Sequence, residues 1–191
     1  MSAFKTLLAT VVGLCLGLYA TWYAVEQDVA FGNVRAGPWV GQLRNGTREA
    51  DPYARAALAR HGETPIGLTE GLSFIAREDD AGARLNPSCS YHISGPIPPA
   101  RYWTISLLSP QGHLLPVPLD RHGFTSAEVL RDARGHMVIE IAASARPGNW
   151  LPAPKGRDFV VMLRLYDTAL SANAGSVTAA TMPRLTRGAC A

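Results

Sequence analysis

The sequence predicts a mainly β protein, a sandwich or barrel of short strands with a few short helices, carried behind one N-terminal transmembrane helix. Three observations predict it. From residue 72 onward, short alternating runs of apolar and polar residues are separated by turn residues, the pattern of an all-β sandwich or barrel. Within that region "DFVVMLRLYD" reads as a clean strand, with Phe159, Val161, Leu163 and Leu165 on one face and Val160, Met162, Arg164 and Tyr166 on the other. At the N-terminus, Thr6 to Val25 is a run of twenty residues without a charge. At about 1.5 Å per residue it spans roughly 30 Å, the thickness of a bilayer core.

The apolar run is not followed by a good small-x-small cleavage site. Leu18 stands at the −3 position before Ala20, Trp22 before Ala24 and Asp28 before Ala30, so a retained anchor is favoured over a cleaved signal peptide. Cys15 lies in mid-run behind Leu14, where a lipidation signal needs a small residue, and reads as lipid-facing or buried. Lys5 precedes the run while Glu26 and Asp28 follow it, which leaves the N-terminus cytoplasmic and the remainder outside. No arginine pair precedes the run, so twin-arginine export is not indicated. The chain divides into an anchor at 1–28, a tether with a short helix at 29–64 and a sandwich domain at 65–191.

The tether is glycine-rich and leads into a strand-like segment around "VRAGPWVG". "DPYARAALARHG" then reads as a short helix, with Asp51 as N-cap, Pro52 in the first turn, alanines in the middle and Gly62 as the stop. "LSFIARE" and "CSYHIS" follow as strands. "YWTISLLSPQGHLLPV" reads as a hairpin turning at Pro110 and Gly112, with Trp103, Ile105 and Leu107 inward and Tyr102, Thr104 and Ser106 on the opposite face. In "FTSAEVL", Thr125 and Glu128 form a capping box for a single helical turn. "HMVIEIAA" is a strand with Met137, Ile139 and Ile141 on one face and His136, Val138 and Glu140 on the other. The tail beyond residue 167 is rich in small residues and carries at most an edge strand near Leu185.

A net charge of +3, with 17% charged residues and no lysine or arginine run, excludes a nucleic-acid footprint. Outside the membrane an oxidising compartment lets Cys89 and Cys190 pair, closing a loop of about 100 residues. The competing reading makes Cys89 a nucleophile beside His92, but in an alternating strand residues three apart point to opposite faces. "GLTEG" has Thr69 where a nucleophile elbow needs serine, and no helix follows. His61, His92, His113, His122 and His136 are dispersed without metal-ligand spacing, and no cofactor is indicated. The acidic cluster in "REDDAG" is read as a polar hairpin turn, with Ca²⁺ or acid–base chemistry as the alternative.

"ARYWTISLLSPQGHLLP", "FTSAEVLRDARG" and "PGNWLPAPKGRDFVVMLRLYD", in that order, resemble the family called domain of unknown function 1214 over roughly residues 65 to 190. "GPW" at 37–39 with Cys89 and Cys190 is similar to a short membrane-anchored proteobacterial branch of that family. The resemblance implies a jelly-roll-like antiparallel β-sandwich in the cell envelope, and it supplies neither an activity nor catalytic residues.

Candidate ligand-binding residues are Tyr102, Asn149, Trp150, Arg164 and Tyr166, polar or aromatic groups on strand faces and in the "NWLPAP" loop. No catalytic or metal-ligating residue is identified. Arg164 is expected to pair with Glu140 if their strands are neighbours. Trp150 is expected to be buried and Asn149 to satisfy backbone groups, locking a rigid loop to the core; the alternative makes that loop the rim of a groove between the sheets. The expected role is a single-pass inner-membrane protein with a periplasmic, non-catalytic binding or envelope-accessory module, held in the bilayer through residues 6–25 and taking an unknown small ligand or envelope protein. An envelope hydrolase whose site assembles only in the fold, and a structural partner in a membrane complex, are the alternatives.

Overall fold

A computed structural model of the chain describes residues 2–26, 33–41, 43–61, 64–171 and 177–190. The first element is a helix, α1 (Ser2–Glu26), long and apolar enough to cross a membrane, with its side chains exposed along nearly its whole length. The other α-helix among the described residues is α2 (Pro52–His61). Its start is built as the sequence predicts: the Asp51 carboxylate accepts from the Ala54 N–H at 3.4 Å, satisfying one of the orphan donors of the first turn. The stop assigned to Gly62 lies outside the described residues. An ion pair between Glu26 and Arg60 joins α1 to α2.

Among the described residues there are ten strands: β1 (Val34–Ala36), β2 (Trp39–Gly41), β3 (Gly71–Ala76), β4 (Cys89–Ser94), β5 (Tyr102–Leu108), β6 (Gly123–Thr125), β7 (Val138–Ala142), β8 (Asn149–Pro152), β9 (Val160–Tyr166) and β10 (Arg184–Cys190). They make a six-stranded sheet, β1-β2-β3-β9-β5-β6, and a four-stranded sheet, β10-β4-β7-β8. Trp39, Phe74, Ile105, Leu163 and Leu165 from the first and Tyr91, Ile93, Ile139, Leu151 and Leu185 from the second share one buried cluster, so the two sheets form a sandwich. β1 and β2 turn through Gly37, whose φ of +62° is glycine's region, and they extend the large sheet with residues the sequence reading assigns to the tether.

The all-antiparallel sandwich is corrected at one edge. "NWLP" is a strand, not a rigid loop, and β8 runs parallel to β7, pairing Ile139 with Asn149 and Ile141 with Leu151. The smaller sheet is therefore mixed. The predicted hairpin keeps its turn, with the Gly112 N–H donating to the Ser109 carbonyl, but its second strand shrinks to one bridge, Leu108 to Leu114. β6 takes the place beside β5 instead. The capping box forms, with the Glu128 carboxylate accepting from the Thr125 N–H and hydroxyl; it closes a hydrogen-bonded turn that does not extend into a helix.

Arg164 and Glu140 do not pair. They lie in different sheets, and Glu140 instead binds Arg146 at 3.1 Å. The acidic cluster is a turn whose carboxylates meet three different arginines: Glu78 with Arg35, Asp80 with Arg184, and buried Asp79 with Arg187 at 2.9 Å. Asp79 also accepts from the N–H groups of Ala81 and Ala83. Through Asp79 and Asp80 the turn after β3 is thus fastened to β10.

Candidate functional site

The outward face of the six-stranded sheet is graded along its strands. Three cross-strand registers over β3, β9 and β5 define it: Gly71–Tyr166–Tyr102 at one end, then Ser73–Arg164–Thr104, then Ile75–Met162–Ser106. Glycine at position 71 is a steric requirement, because a Cβ there would collide with the Leu165 carbonyl of β9. The rows pass from aromatic and polar to apolar, and at the apolar end Leu108, Val160 and Met162 are buried in a small cluster of their own with Ile75 packed against it. An outward sheet face is usually solvated; this end is covered.

The cover is α2 with the flanking segments at 43–45 and 65–66 and the turn at 110–112. Between cover and sheet lies a cavity of about 120 Å³, lined by Ala54, Ala57 and Leu58 of α2 and by Ile75, Val160 and Met162 of the sheet. Among the described lining residues Asn33, Asn45, Ser73 and Gln111 are neutral polar groups and Arg77 is the one charged group. Apolar cavities of this order bind small apolar molecules.

Three of the five sequence-predicted ligand residues come together on this face. Tyr102 and Tyr166 are register neighbours with ring centroids 6.0 Å apart, and Arg164 lies one row further toward the cavity. Asn149 and Trp150 sit elsewhere, on β8 at the edge of the other sheet. Their orientations are the reverse of a tryptophan lock: Asn149 is the buried member and Trp150 is half-buried, its ring N–H donating to the Ala142 carbonyl at 2.9 Å. The Asn149 amide accepts from the Leu130 N–H at 2.7 Å and donates to the Leu130 and Val138 carbonyls at 2.8 and 3.0 Å. Asn149→Ala is expected to cost about 1–3 kcal/mol, because three part-buried backbone groups lose their partner at once; the urea midpoint checks it, and a change within error would remove the clasp role.

Cys89 and Cys190 are bridged, and Cys89 and His92 point to opposite faces of β4. Among the described residues no group of three or more histidine, cysteine and acidic side chains is placed to hold a metal ion. A second groove, between the proline-rich segment 95–100 and the loop at 131–137, has Trp103 and Met137 in its wall and the Arg131 guanidinium 5.9 Å from the Trp103 ring centroid. Its polar rim is occupied locally. Arg131 donates to the Gly135 carbonyl, and Asp132 holds its own loop through the His136 and Arg134 N–H groups. The His136 N–H, above all, keeps the Asp132 carboxyl below the usual carboxylate range.

The residues missed from sequence are those of the cavity. Val160 and Met162 carried a signal: β9 is apolar on both faces over "VVML", as a strand buried on both sides should be. The partner, an alanine-rich helix over a hundred residues upstream, has no such signal.

The sequence model of the family described as "Protein of unknown function (DUF1214)" matches residues 70–170, just over half of the chain. No curated protein matches the sequence. Among solved structures, the chain is similar to the VPA0106 protein from Vibrio parahaemolyticus, with a TM-score of 0.60 and 18% identity over 93% of this chain and 44% of that one. It is also similar to a putative uncharacterized protein from Burkholderia cenocepacia, with a TM-score of 0.42 and 18% identity over 76% of this chain and 45% of that one. The chain thus spans less than half the length of the solved structures it matches. The first likeness covers a larger share of the chain than the family match does.

Proposed function

The chain belongs to the DUF1214 family of proteins of unknown function, and from that premise we propose that it is a membrane-anchored, non-catalytic binding module facing the periplasm. Its ligand occupies the cavity under α2. The observation that carries this reading is the covered apolar end of an outward sheet face, where Leu108, Val160 and Met162 are buried and a cavity remains above them. The tethered, exported topology is supported by α1 and by the Cys89–Cys190 bridge, which an oxidising compartment maintains. Tyr19, Trp22 and Tyr23 cluster near the Glu26 end of α1, the place of an interfacial aromatic belt.

The test uses the full chain in phospholipid vesicles and a small apolar photoprobe, a phenyl diazirine. Labelling is expected on two sites by peptide mapping: α1, from the bilayer, and the cavity floor at Ile75 and Met162. Excess unlabelled benzene should suppress the second without changing the first. Labelling confined to α1 would remove the cavity from the proposal.

A further inference from the structure

We propose that the outward face of the four-stranded sheet binds a neutral oligosaccharide, with the Trp150 ring as its stacking platform. This site is separate from the cavity under α2 and does not depend on it.

One register row defines the site. Thr186 of β10, His92 of β4, Glu140 of β7 and Trp150 of β8 lie side by side across all four strands. Their chain neighbours Leu185, Ile93, Ile139 and Leu151 are buried between the sheets, so strand alternation turns the row itself outward. All four residues are half-exposed. With neighbouring strands about 4.8 Å apart, the row spans roughly 15 Å, room for more than one sugar ring.

The groups along the row match the chemistry of a sugar. A pyranose has an apolar face of C–H bonds and a rim of hydroxyls that both donate and accept. The indole of Trp150 answers the first: its ring N–H donates to the Ala142 carbonyl at 2.9 Å, which fixes the orientation of a ring that is still partly open to solvent. Val138, exposed one row along β7, adds apolar surface. The rim is answered by Glu140, which Arg146 holds at 3.1 Å, and by His92. Gly188 leaves the space beside the His92 ring open, since a Cβ at 188 would stand 3.3 Å from Nε2. The charges of this face are matched within it, Glu140 by Arg146 and Arg184 by Asp80 at 3.2 Å. Paired charges, the hydroxyls of Ser94 and Thr186 and one fixed aromatic ring suit a neutral glycan. An anionic ligand would need unmatched cations, and the centre of a protein interface would need a broader apolar surface.

The experiment measures, by fluorescence anisotropy, the binding of labelled cellotetraose, maltotetraose and chitotetraose to the full chain in detergent micelles. At least one is expected to bind and to be displaced by the same unlabelled sugar. Trp150→Ala and Glu140→Gln should each weaken that binding about two- to tenfold, the range for one stacking contact or one net hydrogen bond. Hydroxyl-radical footprinting of the unmodified chain gives a readout that does not depend on either variant folding. Bound sugar should protect Trp150 and leave Tyr102, on the other sheet, as reactive as before. Binding of none of the three sugars would overturn the proposal. Binding that leaves Trp150 unprotected, or that neither substitution weakens, would overturn the assignment to this face. Tighter binding of tetragalacturonate than of every neutral sugar would overturn the neutral class.

Discussion

Replacing Cys89 and Cys190 together by serine is expected to lower the unfolding free energy by about 4 to 5 kcal/mol. The bridge joins residues 101 apart in sequence, and in the chain-entropy account a closed loop of that length restricts the unfolded ensemble by about that amount. Domains of this size are stable by roughly 5 to 15 kcal/mol in total, so the loss is a large fraction of the whole. The bridge also sets the position of β10. It sits at the end of the β4–β10 ladder, past the register shift between Arg187 and Cys190, where the ladder alone holds the chain least. Guanidinium midpoints of the oxidised and doubly substituted chains measure the effect. In the native oxidised chain only Cys15 should react with an alkylating reagent before reduction. A loss below about 1 kcal/mol would mean that the Asp79–Arg187 and Asp80–Arg184 pairs hold β10 by themselves.

Trp39→Ala is expected to cost about 3–5 kcal/mol, as for other buried aromatic truncations. Trp39 is fully buried although it lies on a three-residue strand near the sheet margin. Its ring N–H donates at 2.6 Å to the carbonyl of Pro183, the residue before β10. The side chain thus ties the large sheet to the start of the strand that the disulfide ties at its other end. Trp39→Phe separates the two contributions. Most of the apolar volume remains while the Pro183 carbonyl loses its donor, and a cost of about 1–3 kcal/mol is expected. Equal costs for the two variants would show that the hydrogen bond, not the packing, is what the tryptophan supplies.

Much of this architecture is legible in the sequence. The inward sets Trp103, Ile105 and Leu107, and Met137, Ile139 and Ile141, are all buried, because strand alternation is a local geometric consequence of the pleat. The cysteine pair was legible for a different reason: it was the one pairing that topology left available. The partner of Arg164 was not. Its strand lies between β3 and β5, while the strand of Glu140 lies between β4 and β8 of the other sheet, and which strands become neighbours is a property of the whole chain. "NWLP" was misread for a related reason. Two prolines suggest a loop, yet a parallel edge strand has a side with no ladder partner, where a missing N–H costs nothing.

The sequence by itself determined the apolar N-terminal helix, the family, the alternation of each strand and the existence of a disulfide, since each depends on local composition, local periodicity or a motif in order. Only the tertiary structure decided that α2 covers the outward face of β9, that Tyr102, Tyr166 and Arg164 meet on that face while Asn149 and Trp150 do not, and that a cavity lies between helix and sheet. Those outcomes arise from packing between segments about sixty to a hundred residues apart in sequence, whose side chains acquire a common environment only once their strands have become neighbours.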